Sequence, residues 1–259
     1  MNEVFNFRRF RRLFVKHTIE HYRTYLMAVA VLVGVLLLGG SFIFYMMSDP
    51  PDPGFQTAVF GSLLLIAGTL FTSTVFSDYG DKNKAIPALT LPATALEKFL
   101  VGWLYSYPIF LVVYTGAFYL ALLGLSSSRH WGEGQHFHLL NLRQQEMGAL
   151  FLVYSVLQAV SLFGAVFFRK LHFIKTGFTF FIALGVAIFL NTLFLKIVTG
   201  LGNVKLALPF TFFNFYIHDR FYSISLNDPG TAMLIWLVMM LVTLLIWIAA
   251  YFRLKEKQV

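Results

Sequence analysis

Four residues of one loop, His130, Glu133, His136 and His138, carry side chains able to ligate a transition metal. A metal site needs imidazole, carboxylate or thiolate groups at matching spacing. Here the spacing follows no ligand pattern and the chain has no cysteine, so the four are read as part of a solvated loop that holds no metal. Lack of cysteine also removes disulfides and thiol catalysis. No G-x-x-x-x-G-K-[ST] phosphate loop occurs, nor G-x-S-x-G, H-E-x-x-H or G-x-G-x-x-G. The chain is read as having no catalytic site and no cofactor of its own.

One spacing carries a clear physical message. Thr94 and Glu97 stand in the S/T-x-x-E arrangement in which hydroxyl and carboxylate each accept a free backbone N–H at a helix start. An apolar run follows at once. Pro87 and Pro92 divide the residues before it into a short element unable to merge with that helix, because proline lacks the N–H and clashes with the preceding turn. The polar stretch from Ser77 to Lys98 thus reads as a small capped structure between two long apolar runs.

Those runs set the class of the protein. The 259 residues are 58% hydrophobic and 12% charged, with mean hydropathy +0.72. Soluble domains average about 45–50% apolar and about 25% charged. Six runs approach or exceed the roughly 18 residues that cross a bilayer as a helix: Tyr25 to Met47, Phe55 to Phe76, Phe99 to Leu125, Met147 to Phe168, Thr176 to Leu195 and Ala232 to Phe252. The expected fold is an all-α integral membrane protein, one transmembrane domain over 1–259. Six crossings place both termini on one side. Of the 20 Lys and Arg residues, fifteen flank that side and five the other, which predicts cytoplasmic termini.

The six apolar cores contain no Asp, Glu, Lys, Arg or His. Ion-coupled carriers and proton pumps keep such residues at membrane depth to do the coupling, despite about 2.5–3.5 kcal/mol each on insertion scales. A secondary carrier or channel is therefore disfavoured. The polar residues within the runs, Thr72, Ser73, Gln158 and Asn191, are read as helix-to-helix hydrogen bonds. Before the first run, residues 1–24 form an amphipathic segment. Phe10, Leu13, Phe14 and His17 fall at helical spacing, with Arg8, Arg9, Arg11, Arg12 and Lys16 on the other faces. Such a helix is expected in the headgroup layer. Basic residues beside a first span are ordinary orienting charge, so neither nucleic-acid binding nor a twin-arginine export signal is inferred. Two loops on the far side are long, 126–146 and 200–231. The second carries an aromatic patch, Leu206 to Ile217, broken by Pro209 and too short to span; it is read as a re-entrant or interfacial segment before span six.

Asp78, Lys82, the Leu89-Thr-Leu-Pro-Ala-Thr94 run and Glu97-Lys-Phe-Leu100 resemble the L-x-L-P-A-S-x-x-E-K-F-L stretch between the second and third spans of ABC-2 type transporter permeases, particularly those of Bacteroidetes-like bacteria. The layout is similar too: an amphipathic N-terminal helix, six spans, cytoplasmic termini, a coupling helix between spans two and three, and short re-entrant helices before the last span. Residue-level likeness is confined to about 78–100. Thr94 replaces the family's serine and keeps the capping hydroxyl. The loop 126–146 has no counterpart with a family role.

The resemblance implies a permease subunit in a bacterial cytoplasmic (inner) membrane, an exporter in most of the family. Its ATP is bound and hydrolysed by a separate ABC ATP-binding subunit present in two copies, and a second permease copy, identical or related, completes the pathway. Membrane lipid surrounds it; nucleic acid has no part. The implied coupling residues are Asp78, Lys82, Lys84, Ile86, Pro87, Leu89, Leu91, Pro92, Thr94, Glu97 and Lys98. The alternative of another class is a non-transporting membrane anchor or assembly factor for an ATPase.

Overall fold

The computed structural model describes residues 5–47, 49–80, 93–128, 137–168, 171–200, 209, 213–217, 220–224 and 229–257. Six helices in it are long and apolar enough to cross a membrane, which makes this a multi-pass membrane protein. Helices are the outcome that lipid demands, because each backbone N–H and C=O must find its partner within its own segment.

Helix α1 runs unbroken over Phe7–Met46 and α2 over Pro53–Gly80. The third span has two halves, α3 (Ala95–Leu104) and α4 (Phe110–Ser128), joined by a π turn at Tyr105–Ile109 that contains Pro108. Then come α5 (Gln145–Phe167), α6 (His172–Thr199), strands β1 (Phe213–Ile217) and β2 (Arg220–Ile224), and α7 (Pro229–Glu256). The boundaries have local causes. Asn6 caps α1 by accepting from the N–H groups of Arg8 and Arg9. Asp52 accepts the Phe55 N–H just ahead of α2, whose first residue, Pro53, has no N–H to satisfy. Gly200 closes α6 at φ +66°, where a side chain would meet the left-handed penalty.

Two expectations change here. The amphipathic N-terminal segment is continuous with the first span, and its apolar face packs on protein: Phe10, Leu13 and Phe14 lie against a buried cluster that includes Phe99, Val101 and Tyr105. At 1.5 Å per residue α1 is about 60 Å long, twice the hydrocarbon thickness, so part of it stands outside the apolar layer. The second concerns a short segment between the last two helical spans. Phe213–Ile217 pairs antiparallel with Arg220–Ile224, in the register Phe213 with Ile224 through Ile217 with Arg220. The end of the aromatic patch, read as a re-entrant or interfacial segment, forms a hairpin, and the sequence shows why. Phe213-Asn-Phe-Tyr-Ile217 alternates with period two and is rich in strand-forming types, and only two residues separate the strands. The remainder of the patch other than Pro209 lies outside the described residues, as does Asp219.

The side chains sort into two apolar clusters stacked along the bundle. One gathers Phe60, Leu64, Tyr114, Phe118, Met147 and Tyr154. The other gathers Phe76, Phe99, Leu162, Val166 and Leu254, and Phe10 and Leu13 pack on it. Leu254 is near the end of α7 and Phe10 near the start of α1, so both outer helices bring their terminal ends to the same end of the bundle. Helix α5 lies at the centre, with half of its most apolar stretch buried.

Candidate functional site

The site begins with a helix start. Thr94, in extended conformation, caps α3: its hydroxyl accepts the Glu97 N–H at 3.3 Å, and Glu97 returns an oxygen to the Thr94 N–H at 3.1 Å. The capping box read from the sequence is present. Glu97 does more than cap, however. Arg9 of α1 grips the same carboxylate in a fork, with Nε donating to Oε2 at 2.6 Å and Nη2 to Oε1 at 2.7 Å. The Asn6 N–H adds a fourth bond to Oε1 at 2.9 Å. Two helix N-termini, each with free N–H groups and a positive dipole end, thus converge on one anion. A bidentate guanidinium completes it.

Burial makes this arrangement specific. The Glu97 side chain is 0% exposed and that of Arg9 30%. A carboxylate withdrawn from water must have its lone pairs filled by donors, and four bonds fill them. Lys98 is buried beside it.

Of the coupling residues implied by the resemblance, Thr94, Glu97 and Lys98 fall at this junction. Asp78 lies in the last turn of α2. Lys82, Lys84, Ile86, Pro87, Leu89, Leu91 and Pro92 lie outside the described residues. So do His130, Glu133 and His136, whereas His138 gives its backbone carbonyl to Gln56. Among the described residues no three His, Cys, Asp or Glu side chains group as a metal site.

From the junction, α3 leads ten residues into the π turn. Pro108 has no N–H for the helical ladder, and the backbone pattern shifts around it. The Phe110 N–H turns to the Tyr107 carbonyl, and the Ser106 carbonyl accepts the Tyr154 hydroxyl of α5 at 3.2 Å. Gln158, one turn further along α5 and fully buried, bridges three helices. It donates to the Ser106 hydroxyl at 3.0 Å and accepts the Trp247 indole N–H of α7 at 2.9 Å. On the other side of the turn, Tyr105 stacks on Phe14 and Tyr25 of α1 and hydrogen-bonds the Thr18 hydroxyl. The π turn therefore joins α1, α5 and α7 where the two apolar clusters meet.

The helix-bridging role read for the mild polar residues holds for Gln158. Thr72 bonds back to the Gly68 carbonyl of its own helix. Replacing Gln158 by leucine keeps the bulk and removes both bridges. In membranes such bonds average about 0.6 kcal/mol and reach about 1.7, so a loss of about 1 kcal/mol is expected in reversible unfolding in mixed micelles.

Two features escaped the sequence reading. Arg9 stands among six Lys and Arg residues of one helix, and nothing in its spacing connects it to a carboxylate 88 positions away. Pro108 within an apolar run is a signal of helix distortion that could have located the π turn. No protein-family model, curated protein or solved structure matches the chain.

Proposed function

We propose that the chain is the membrane-spanning permease subunit of an ABC transporter of the ABC-2 type, an exporter that draws its energy from a separate ATP-hydrolysing subunit. One observation carries this reading: the residues of the family-like stretch, Thr94 to Leu100, begin a helix whose buried Glu97 also anchors α1. A coupling loop needs such an anchor. Displacement applied to the segment 82–92 reaches α3 at its capped first turn, and the four bonds on Glu97 oblige α1 to follow. The π turn then passes the motion to α5 and α7 through Ser106 and Gln158.

Glu97 and Lys98 are buried within the chain, so their part in coupling is transmission, and contact with the ATPase belongs to the loop before them. Differential binding of ATP to the closed partner provides the free energy between the two states of the pathway, and no charge in the spans is needed. The pathway is completed by a second permease copy, and two ATPase subunits dock on the inner face of the bacterial cytoplasmic membrane.

The test is copurification. A tagged chain extracted gently from its native membrane should bring down an ATP-hydrolysing subunit. Replacing Ile86 to Leu91 by Gly/Ser residues should release that subunit or uncouple its hydrolysis. Unchanged binding and coupling in this variant would remove the loop from the mechanism, and ATP-independent flux through the chain alone in liposomes would replace the transporter type.

A further inference from the structure

Four arginines crowd the first two turns of α1, and they do not share one role. Arg9 turns inward to Glu97. Arg8, Arg11 and Arg12 are exposed, and no carboxylate among the described residues pairs with their guanidinium groups. The steps from Arg8 to Arg12, Val15, Ile19, Tyr22 and Leu26 alternate between four and three residues, which on a helix draws a single stripe. Val15, Ile19 and Leu26 are 47%, 65% and 63% exposed. The stripe thus has a cationic head and, apart from the Tyr22 hydroxyl, which accepts from Arg23 at 3.0 Å, an apolar length. Arg8, Arg11, Arg12, Val15 and Ile19 line a shallow open groove, and at its edge Lys16 and Glu20 lie 3.6 Å apart and offset each other's charge.

Packing sets the depth of this face. Phe10 lies on the cluster of Phe76, Phe99 and Leu254, where spans two, three and six have their ends, so the arginines stand where apolar span gives way to headgroup. From Arg12 to Leu26 the stripe is about 21 Å long at 1.5 Å per residue, and one leaflet with its headgroups measures about 20–22 Å.

We infer that this stripe binds an anionic glycerophospholipid, with the phosphate among the guanidinium groups of Arg8, Arg11 and Arg12 and an acyl chain along Val15, Ile19 and Leu26. Guanidinium forks match phosphate oxygens. A zwitterionic lipid brings its own cation, which three arginines without carboxylate partners repel. A soluble acidic partner would meet the arginines and leave the apolar length uncovered. The lipid satisfies both ends at once. The inference concerns this chain alone and holds with or without an ATPase.

The experiment uses the full chain, which has no cysteine of its own, with Ile19→Cys carrying a fluorophore. The protein is placed in phosphatidylcholine nanodiscs containing equal mole fractions of either phosphatidylglycerol or phosphatidylcholine with brominated mid-chain carbons, which quench on contact. Brominated phosphatidylglycerol should reach half of maximal quenching at about one-tenth the mole fraction of brominated phosphatidylcholine, the ratio that one hydrogen bond to a charged group gives. Replacing Arg8, Arg11 and Arg12 together by glutamine should bring the two lipids level. Replacing Lys175, Lys255 and Lys257 by glutamine removes the same charge from the same end of the bundle and should leave the ratio intact. Equal quenching by the two lipids in the Ile19→Cys protein would overturn the inference. So would an equal fall in both triple variants, which would reduce the preference to overall charge. Under oxidation Val15→Cys should give no disulfide between copies; if it does, a second copy covers the stripe and the inference fails. Should the arginine triple variant not fold, Arg12→Gln is read against Lys255→Gln by the same criterion.

Discussion

Glu97→Ala is expected to cost about 3 kcal/mol of stability, the range for removing one partner of a buried ion pair, and to expose the start of α1 to trypsin at Arg8 and Arg9. Four bonds meet on that carboxylate, two from the Arg9 guanidinium and one each from the Asn6 and Thr94 N–H groups. Alanine removes them all, together with half of the capping box. Arg9→Ala should cost less, about 2 kcal/mol. The carboxylate then keeps two backbone donors, and water replaces the guanidinium, which is already 30% exposed.

The charge-swapped double variant, Arg9→Glu with Glu97→Arg, separates this junction from a simple ion pair. A simple pair would recover stability on reversal. Here it should not recover, because an arginine at position 97 presents only donors to the Asn6 and Thr94 N–H groups. Thermal unfolding in detergent and limited proteolysis read both effects. Recovery in the swapped protein would show that the backbone bonds carry no weight.

How much of this was legible in advance depends on the range over which each interaction acts. The spans were legible because their cause is local: a long apolar run can only be helical in lipid. The first turn of α3 was equally local, since Thr94 and Glu97 satisfy each other's backbone across three residues. The hairpin is less legible, because the length and hydropathy of an aromatic run do not give its backbone form, which only its period-two alternation carries. The pairing of Arg9 with Glu97 joins residues distant in sequence, and the pattern of one helix cannot specify which cation another helix will bury. The identity of the central helix was hidden for a related reason. The α5 run is of middling hydropathy among the six, yet it is the most buried of them. What distinguishes it is the small and polar residues that let neighbours approach, among them Gln158 and Gly164.

Close approach is the basis of the second large effect, expected at Gly68 on α2. A Cβ there would lie 2.3 Å from Cε2 of Tyr154 and 3.1 Å from Cε1 of Phe110. Real Cβ atoms do not come so near a ring, so either the helices separate or Tyr154 moves. Tyr154 has little freedom to move. It is fully buried, stacks on Tyr107 and Phe110, and donates to the Ser106 carbonyl at the π turn. Gly68→Ala is therefore expected to destabilise the protein by about 2 kcal/mol, within the range for overpacking a close-packed interior, even though alanine is the better helix former. Gly116, on α4 with nothing within 4 Å of a Cβ, provides the internal comparison: Gly116→Ala should be neutral or stabilising. In the Gly68→Ala background, Tyr154→Leu should restore part of the loss by removing the ring, whereas alone it should only destabilise. Unfolding in mixed micelles measures all four proteins. Equal stability of the Gly68 and Gly116 variants would mean that α2 and α5 do not depend on this contact. Recovery in the double variant would identify the contact between Gly68 and Tyr154 as what holds them at their spacing.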